Sequence, residues 1–225
     1  MNEPLQSERQ RVSIVALGSF NPAIFHPVWF THHGLIRDAE ATTSEVQVVS
    51  PQVTVVRFEW FVLQVTAERF VVETRDPRKF LPLRDLVAAT FALLEHTPVS
   101  AFGFNSYQWF QLDSPEAWHQ FGHHFAPKTS WSGILDQPGL LTLTIQGTRT
   151  SCRAKRIQIT VQPARGEENG VVISVNEHYD VEQGGKDEPA SANVLVETLN
   201  DAWVGFQDYS LNVGKHLLRE GVSPK

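Results

Sequence analysis

Residues 53–74 read VTVVRFEWFVLQVTAERFVVET, and the reading of this stretch decides the fold. Val53 and Val55 alternate with Thr54 and Val56. Phe61, Leu63 and Val65 then alternate with Gln64 and Thr66, and after Ala67-Glu68 the residues Phe70 and Val72 alternate with Arg69, Val71 and Glu73. A period of two belongs to strands, whose successive side chains point to opposite faces of a sheet. Runs joined by so few residues close as hairpins, so the segment from Glu45 to Thr74 is expected to form an antiparallel meander.

Downstream the period changes. Pro82 suits a first helical turn, and Leu83, Leu86, Val87, Thr90, Phe91 and Leu94 recur at helical spacing until Pro98 ends the run. Residues 99–110 return to strand character. Ser114-Pro115-Glu116 then supplies a cap, a first-turn proline and a first-turn acid for a short helix over 115–125. After Pro138-Gly139, three further strands are expected in LLTLTIQ, RIQITVQ and VVISVNEHY, with Ile157, Ile159 and Val161 sharing one face of the second. A polar loop around 183–189 leads to Ser191 as the cap of the last helix. That helix carries an apolar stripe at Leu195, Leu199, Ala202, Phe206, Tyr209, Val213 and Leu217, with Gly205 and Gly214 as points where it would break. Upstream, residues 11–18 read as a buried strand. Residues 24–35, interrupted by Pro27 and Gly34, read as a packed aromatic loop with a short helical turn.

Strands grouped apart from helices indicate an α+β fold, an antiparallel sheet covered by helices, rather than a doubly wound parallel sheet. With no low-complexity linker, residues 1–225 are read as one domain. The order strand, strand, strand, helix recurs, which admits two related half-units at 45–110 and 139–219, although they share no visible residue identities. At residues 80–105, FLPLRDLVAATFALLEHTPVSAFGFN, and again at 191–210, SANVLVETLNDAWVGFQDYS, the chain resembles a sporadically distributed family of uncharacterised bacterial proteins. The resemblance implies a bacterial source and a helix-covered sheet. It implies no activity and no site residue.

Composition narrows the classes. A chain of 225 residues can bury about three-quarters of its unfolded surface. Hydrophobic residues at 41% and charged residues at 20% are ordinary for a folded domain. The single cysteine, Cys152, excludes an internal disulfide and fits a reducing, cytoplasmic setting. The polar start MNEPLQSERQR and the lack of any run of about 20 apolar residues argue against secretion and against membrane insertion. A net charge of −6 makes nucleic acid an unfavoured partner.

Several residue sets carry potential chemistry. Glu116, His119 and His123 share one face of the short helix, a spacing that suits a divalent metal and hence a metal-dependent, hydrolytic enzyme. The HExxH arrangement is absent, and an amphipathic helix needs a polar face in any case. Ser174, Asn176, His178 and Asp180 share one strand face. His178 can meet Asp180, but Ser174 and His178 stand about 13 Å apart along a strand, too far for a nucleophile and its base. His26, His32 and His33 surround Trp29 and Phe30 in a segment that either lines a pocket or plugs the core. Cys152 has no sequence cue for activation beyond nearby cations. Arg149, Arg153, Lys155 and Arg156 form a basic run read as a charged edge strand, with Arg149, Arg153 and Lys155 on one face. No phosphate-cradling glycine loop occurs.

With each catalytic signal weak, the expected function is a non-catalytic protein-interaction or assembly module that binds a protein partner or forms a homo-oligomer, with no cofactor. Its expected contact residues are Trp29 and Phe30 in the aromatic segment and Trp203 and Val204 on the last helix. The metal-dependent enzyme is the alternative.

Overall fold

A computed structural model describes residues 9–150, 152–181 and 192–222. The polar loop at 183–189, the Ser191 cap and the first eight residues lie outside the described residues. The fold is α+β. Nine strands form one sheet in the order β2-β3-β4-β5-β1-β6-β9-β8-β7, every neighbouring pair antiparallel.

The strand order follows from two similar runs of elements. The first is β1 (Arg9–Gly18), the short helices α1 (Pro27–His32) and α2 (Asp38–Thr42), the meander β2 (Glu45–Val49), β3 (Val53–Arg57), β4 (Val62–Thr66) and β5 (Arg69–Thr74), and helix α3 (Phe80–Leu93). The second is β6 (Val99–Gln111), helix α4 (Pro115–Phe125), the meander β7 (Leu143–Gly147), β8 (Arg156–Pro163) and β9 (Gly170–Asp180), and helix α5 (Ala192–Val222). In each run the opening strand returns to pair with the last strand of its meander, β1 with β5 and β6 with β9. The two opening strands then pair with each other, with Ile14 opposite Phe104, so the order reads outward from a central β1–β6 seam. Grouped this way, β6 opens the second run, whereas the 45–110 segment places it at the end of the first. Sequence periodicity registers strands but not which meander a long central strand closes.

One sheet face carries the core. Val12, Ile14, Ala16, Phe104 and Val175 on that face are buried against Leu83, Leu86, Val87 and Phe91 of α3 and Leu195, Leu199, Trp203 and Phe206 of α5. Phe110, Val161, Val171 and Ile173 on the same face meet Phe121 of α4 and Leu218 of α5 in a second cluster. Ile157 and Val161 are buried and Ile159 half-buried, while Arg156 on the opposite face is exposed, as alternation requires.

In β3 the inward parity is Thr54 and Val56, not Val53 and Val55. The buried Thr54 hydroxyl is satisfied by donating to the Pro22 carbonyl at 2.7 Å, which removes the cost that would push a polar residue outward. Residues 24–35 hold a true helix, α1, beginning at Pro27 and capped by His26, whose Nδ1 accepts from Val28 N at 3.2 Å. Helix α2 has no buried residue and therefore no apolar period to reveal it. Among the described residues no helix is long and apolar enough to cross a membrane.

Candidate interaction surface

Helix α4 starts where Ser114 Oγ accepts from Ala117 N at 3.2 Å and Pro115 takes the first position. Its apolar side holds it in place. Phe121 is buried, and the Trp118 indole N–H donates to the Gly170 carbonyl at 3.1 Å, tying the helix to the start of β9. Between α4 and β8 lies a groove of about 490 Å³ walled by Trp118, His119, Leu140, Val161, Gln162 and Pro163. The chain then runs from α4 to β7 with Gln137 in the left-handed region at φ 51°.

This connection and β7 present Trp131, Ile134, Leu135, Leu141 and Ile145 to solvent, with Ile134 71% and Leu141 81% exposed. Five of the twelve exposed large apolar side chains among the described residues therefore fall within fifteen consecutive positions. The other seven are scattered from Leu17 to Val204. Single exposed apolar residues are ordinary on a protein surface, but a concentration beside a groove marks a contact surface.

Glu116 is exposed at the α4 N-terminus, where the first-turn backbone N–H holds its carboxyl below the usual range. His119 forms a groove wall and lies edge-on to Trp118 at 5.0 Å. His123 Nδ1 accepts from Lys128 N at 3.2 Å, closing the turn after the helix. Among the described residues no group of three or more His, Cys, Asp or Glu side chains converges as a metal-ligand set. Phe30 is buried and Trp29 half-buried in an aromatic cluster with Phe25 and His33. Trp203 is 1% exposed, edge-on to Phe104 at 5.3 Å, and its indole N–H donates to the Phe80 carbonyl at 3.1 Å. Val204, the next residue, faces solvent.

Over β7, β8 and β9 the sheet face away from α3 and α5 is largely polar. It carries Ser174, Asn176, His178 and Asp180, with Asn176 donating to Asn105 at 2.9 Å and His178 Nε2 at 2.8 Å from Asp180 Oδ1. The row continues outward through Gln158 donating to Gln146 at 3.0 Å, and a parallel row joins Thr144 and Thr160 at 2.9 Å. Arg11 lies 4.0 Å over the Tyr107 ring and pairs with Glu73 at 3.5 Å. Most of these polar groups are paired with one another, although Arg11 Nε has no hydrogen-bond partner.

On the core side, Glu177 is fully buried. Tyr179 donates its hydroxyl to Glu177 Oε2 at 2.7 Å, and Arg149 Nη2 lies 3.1 Å from Oε1. Burial raises the Glu177 carboxyl above its ordinary range despite these partners, and burial likewise raises both Tyr179 and Tyr209. The Arg149 guanidinium also covers the Tyr209 ring at 4.0 Å. This arrangement corrects the reading of the basic run. The described residues of this run, 148–150 and 152–155, are not in a strand: Arg149 turns inward to the buried carboxylate, and β8 begins only at Arg156. Arg153 and Lys155 are exposed, and Cys152 is half-buried against the core. Glu177 was not singled out in the sequence, since it sits within an alternation that looks like a polar strand end. Its inward parity with Ile173 and Val175 was the available signal. No protein-family model and no curated protein matches the chain.

Proposed function

We propose that this chain is a non-catalytic protein-interaction module whose docking surface is the apolar corner formed by the α4–β7 connection and β7. The observation that carries the reading is the run of exposed Trp131, Ile134, Leu135, Leu141 and Ile145 beside the α4 groove. Leaving so much apolar surface in water forgoes burial worth roughly 25 cal/mol per Å², a loss that a partner recovers. Three of the four contact residues expected from the sequence have other work: Phe30 and Trp203 fill the core, and Trp29 backs them. Only Val204 faces outward, and it stands apart from the corner. A photo-cross-linking residue placed at Leu141 tests the reading, with the same probe at the exposed but isolated Val194 as control. The expected result is one discrete protein adduct at 141 and none at 194. Equal or absent labelling at both positions overturns it.

A further inference from the structure

This inference rests on the interaction reading and names the occupant of the surface. We infer that the corner binds a second copy of this chain, through antiparallel pairing of β7 with β7 about a two-fold axis at Ile145.

The two ends of the sheet differ in how they treat an unpaired edge. An edge strand with free backbone donors and acceptors recruits another strand unless charge, proline, a bulge or a cover prevents it. At one end, β2 carries Glu45, paired with Arg57, and a register irregularity between Val46 and Val48. At the other end, β7 reads Leu143-Thr144-Ile145-Gln146-Gly147, without charge or proline, and pairs with β8 in unbroken register. The second edge has none of the protections of the first.

The β7 sequence is also complementary to itself. Antiparallel pairing centred on Ile145 sets Ile145 against Ile145 of the copy, Thr144 against Gln146 and Leu143 against Gly147. Thr144 and Gln146 lie on the polar face, where they already end the rows from Thr160 and Gln158, so the copy extends both rows. Ile145 aligns with Ile159 and Val175, which places it on the core side of the sheet. Each chain carries a charge of −6, but β7 itself bears no charge, and the connection before it carries one cation and one anion, Lys128 and Asp136, so the contact adds no net charge to the repulsion between copies. The five exposed apolar side chains present on the order of 600 Å², and the strand backbone brings the surface near the roughly 800 Å² per partner of a standard interface.

Light scattering of the full chain across a concentration series is expected to give twice the 25.3 kDa chain mass. Ile145→Lys sets like charges face to face at the axis and should return a monomer with an unchanged circular dichroism spectrum, whereas Ile145→Val should remain dimeric. A geometric test does not depend on how that variant folds. In a Cys152→Ser background, Ile145→Cys should oxidise to a covalent dimer, because directly opposed residues have Cβ atoms about 5 Å apart. Leu143→Cys should not, its copies being separated by four residues of strand, about 13 Å. A monomer at every concentration overturns the inference, as does a dimer in which Leu143→Cys cross-links and Ile145→Cys does not. If the probe at Leu141 captures a different protein while the chain stays monomeric, self-pairing falls and the interaction reading stands. If neither contact is found, both fall.

Discussion

Glu177 shows how one side chain ties burial to pH. Its carboxyl is held above the ordinary glutamate value by desolvation, so the folded chain binds this proton more tightly than the unfolded chain. Stability from this group is therefore greatest below the unfolded value, about 4.3, and is lost as pH rises through the raised folded value. Glu177→Gln should remove that decline while keeping the Tyr179 hydrogen bond. Melting temperatures of the two proteins from about pH 4 to pH 8 should diverge in the variant's favour as pH rises. Glu177→Ala acts differently, because it removes every oxygen that faces the largely covered Arg149 and the Tyr179 hydroxyl, where glutamine keeps an amide oxygen, and denaturant titration at neutral pH should show a loss of about 3 kcal/mol. Adjacent residues on α5 make a second contrast. Trp203→Ala should cost about 3–5 kcal/mol by opening a cavity against Phe104 and Phe206, while Val204→Ala should stay within about 0.5 kcal/mol. Equal effects at the two positions would contradict the packing described here. The sequence offered these neighbours together as a contact pair. Both fall partly outside the apolar stripe, and consecutive helical residues are separated by about 100°, so the two side chains point in different directions.

Helix α5 continues through both glycines at which the sequence suggested a break, as one element of 31 residues and about 46 Å. The reason lies in what each glycine faces. A Cβ at Gly214 would stand 2.5 Å from Gln108 Oε1, and Gln108 is buried with its Nε2 donating to the Ser210 carbonyl at 2.7 Å. At Gly221 it would meet the buried Phe121 ring at less than contact distance. These two residues let the helix lie close to β6 and α4. Gly205 has nothing within 4 Å of such an atom. Gly205→Ala should therefore stabilise the protein by about 0.5–1 kcal/mol through helix propensity alone, while Gly214→Ala and Gly221→Ala should lower the denaturation midpoint. A sequence shows three glycines in a helical pattern and a uniform propensity cost. Only the neighbours across the interface assign opposite signs to the same substitution.

At the scale of the molecule, the β1–β6 seam and the packing of α3 against α5 join the two runs of elements into one sheet with a shared core. Unfolding followed by tryptophan fluorescence and by far-ultraviolet circular dichroism is expected to give coincident midpoints. Two separated transitions would show that the runs hold themselves together independently. The strand periods, Pro82 in the first turn of α3, the start of α4 at Ser114-Pro115, and the α+β class were legible in the sequence because each is local, set by alternation, capping and the missing proline N–H. Tertiary structure decided the rest. Periodicity does not say which face of β3 turns inward, that β1 and β6 pair at the centre, or that Arg149 leaves a strand-like run for a buried carboxylate. It also did not reveal that the exposed apolar residues gather between α4 and β7, since exposure depends on what remains uncovered after every other element has been placed. Local pattern fixes the elements within a few residues of each signal, while pairing partners, buried charges and docking surfaces arise from contacts between residues distant in the chain.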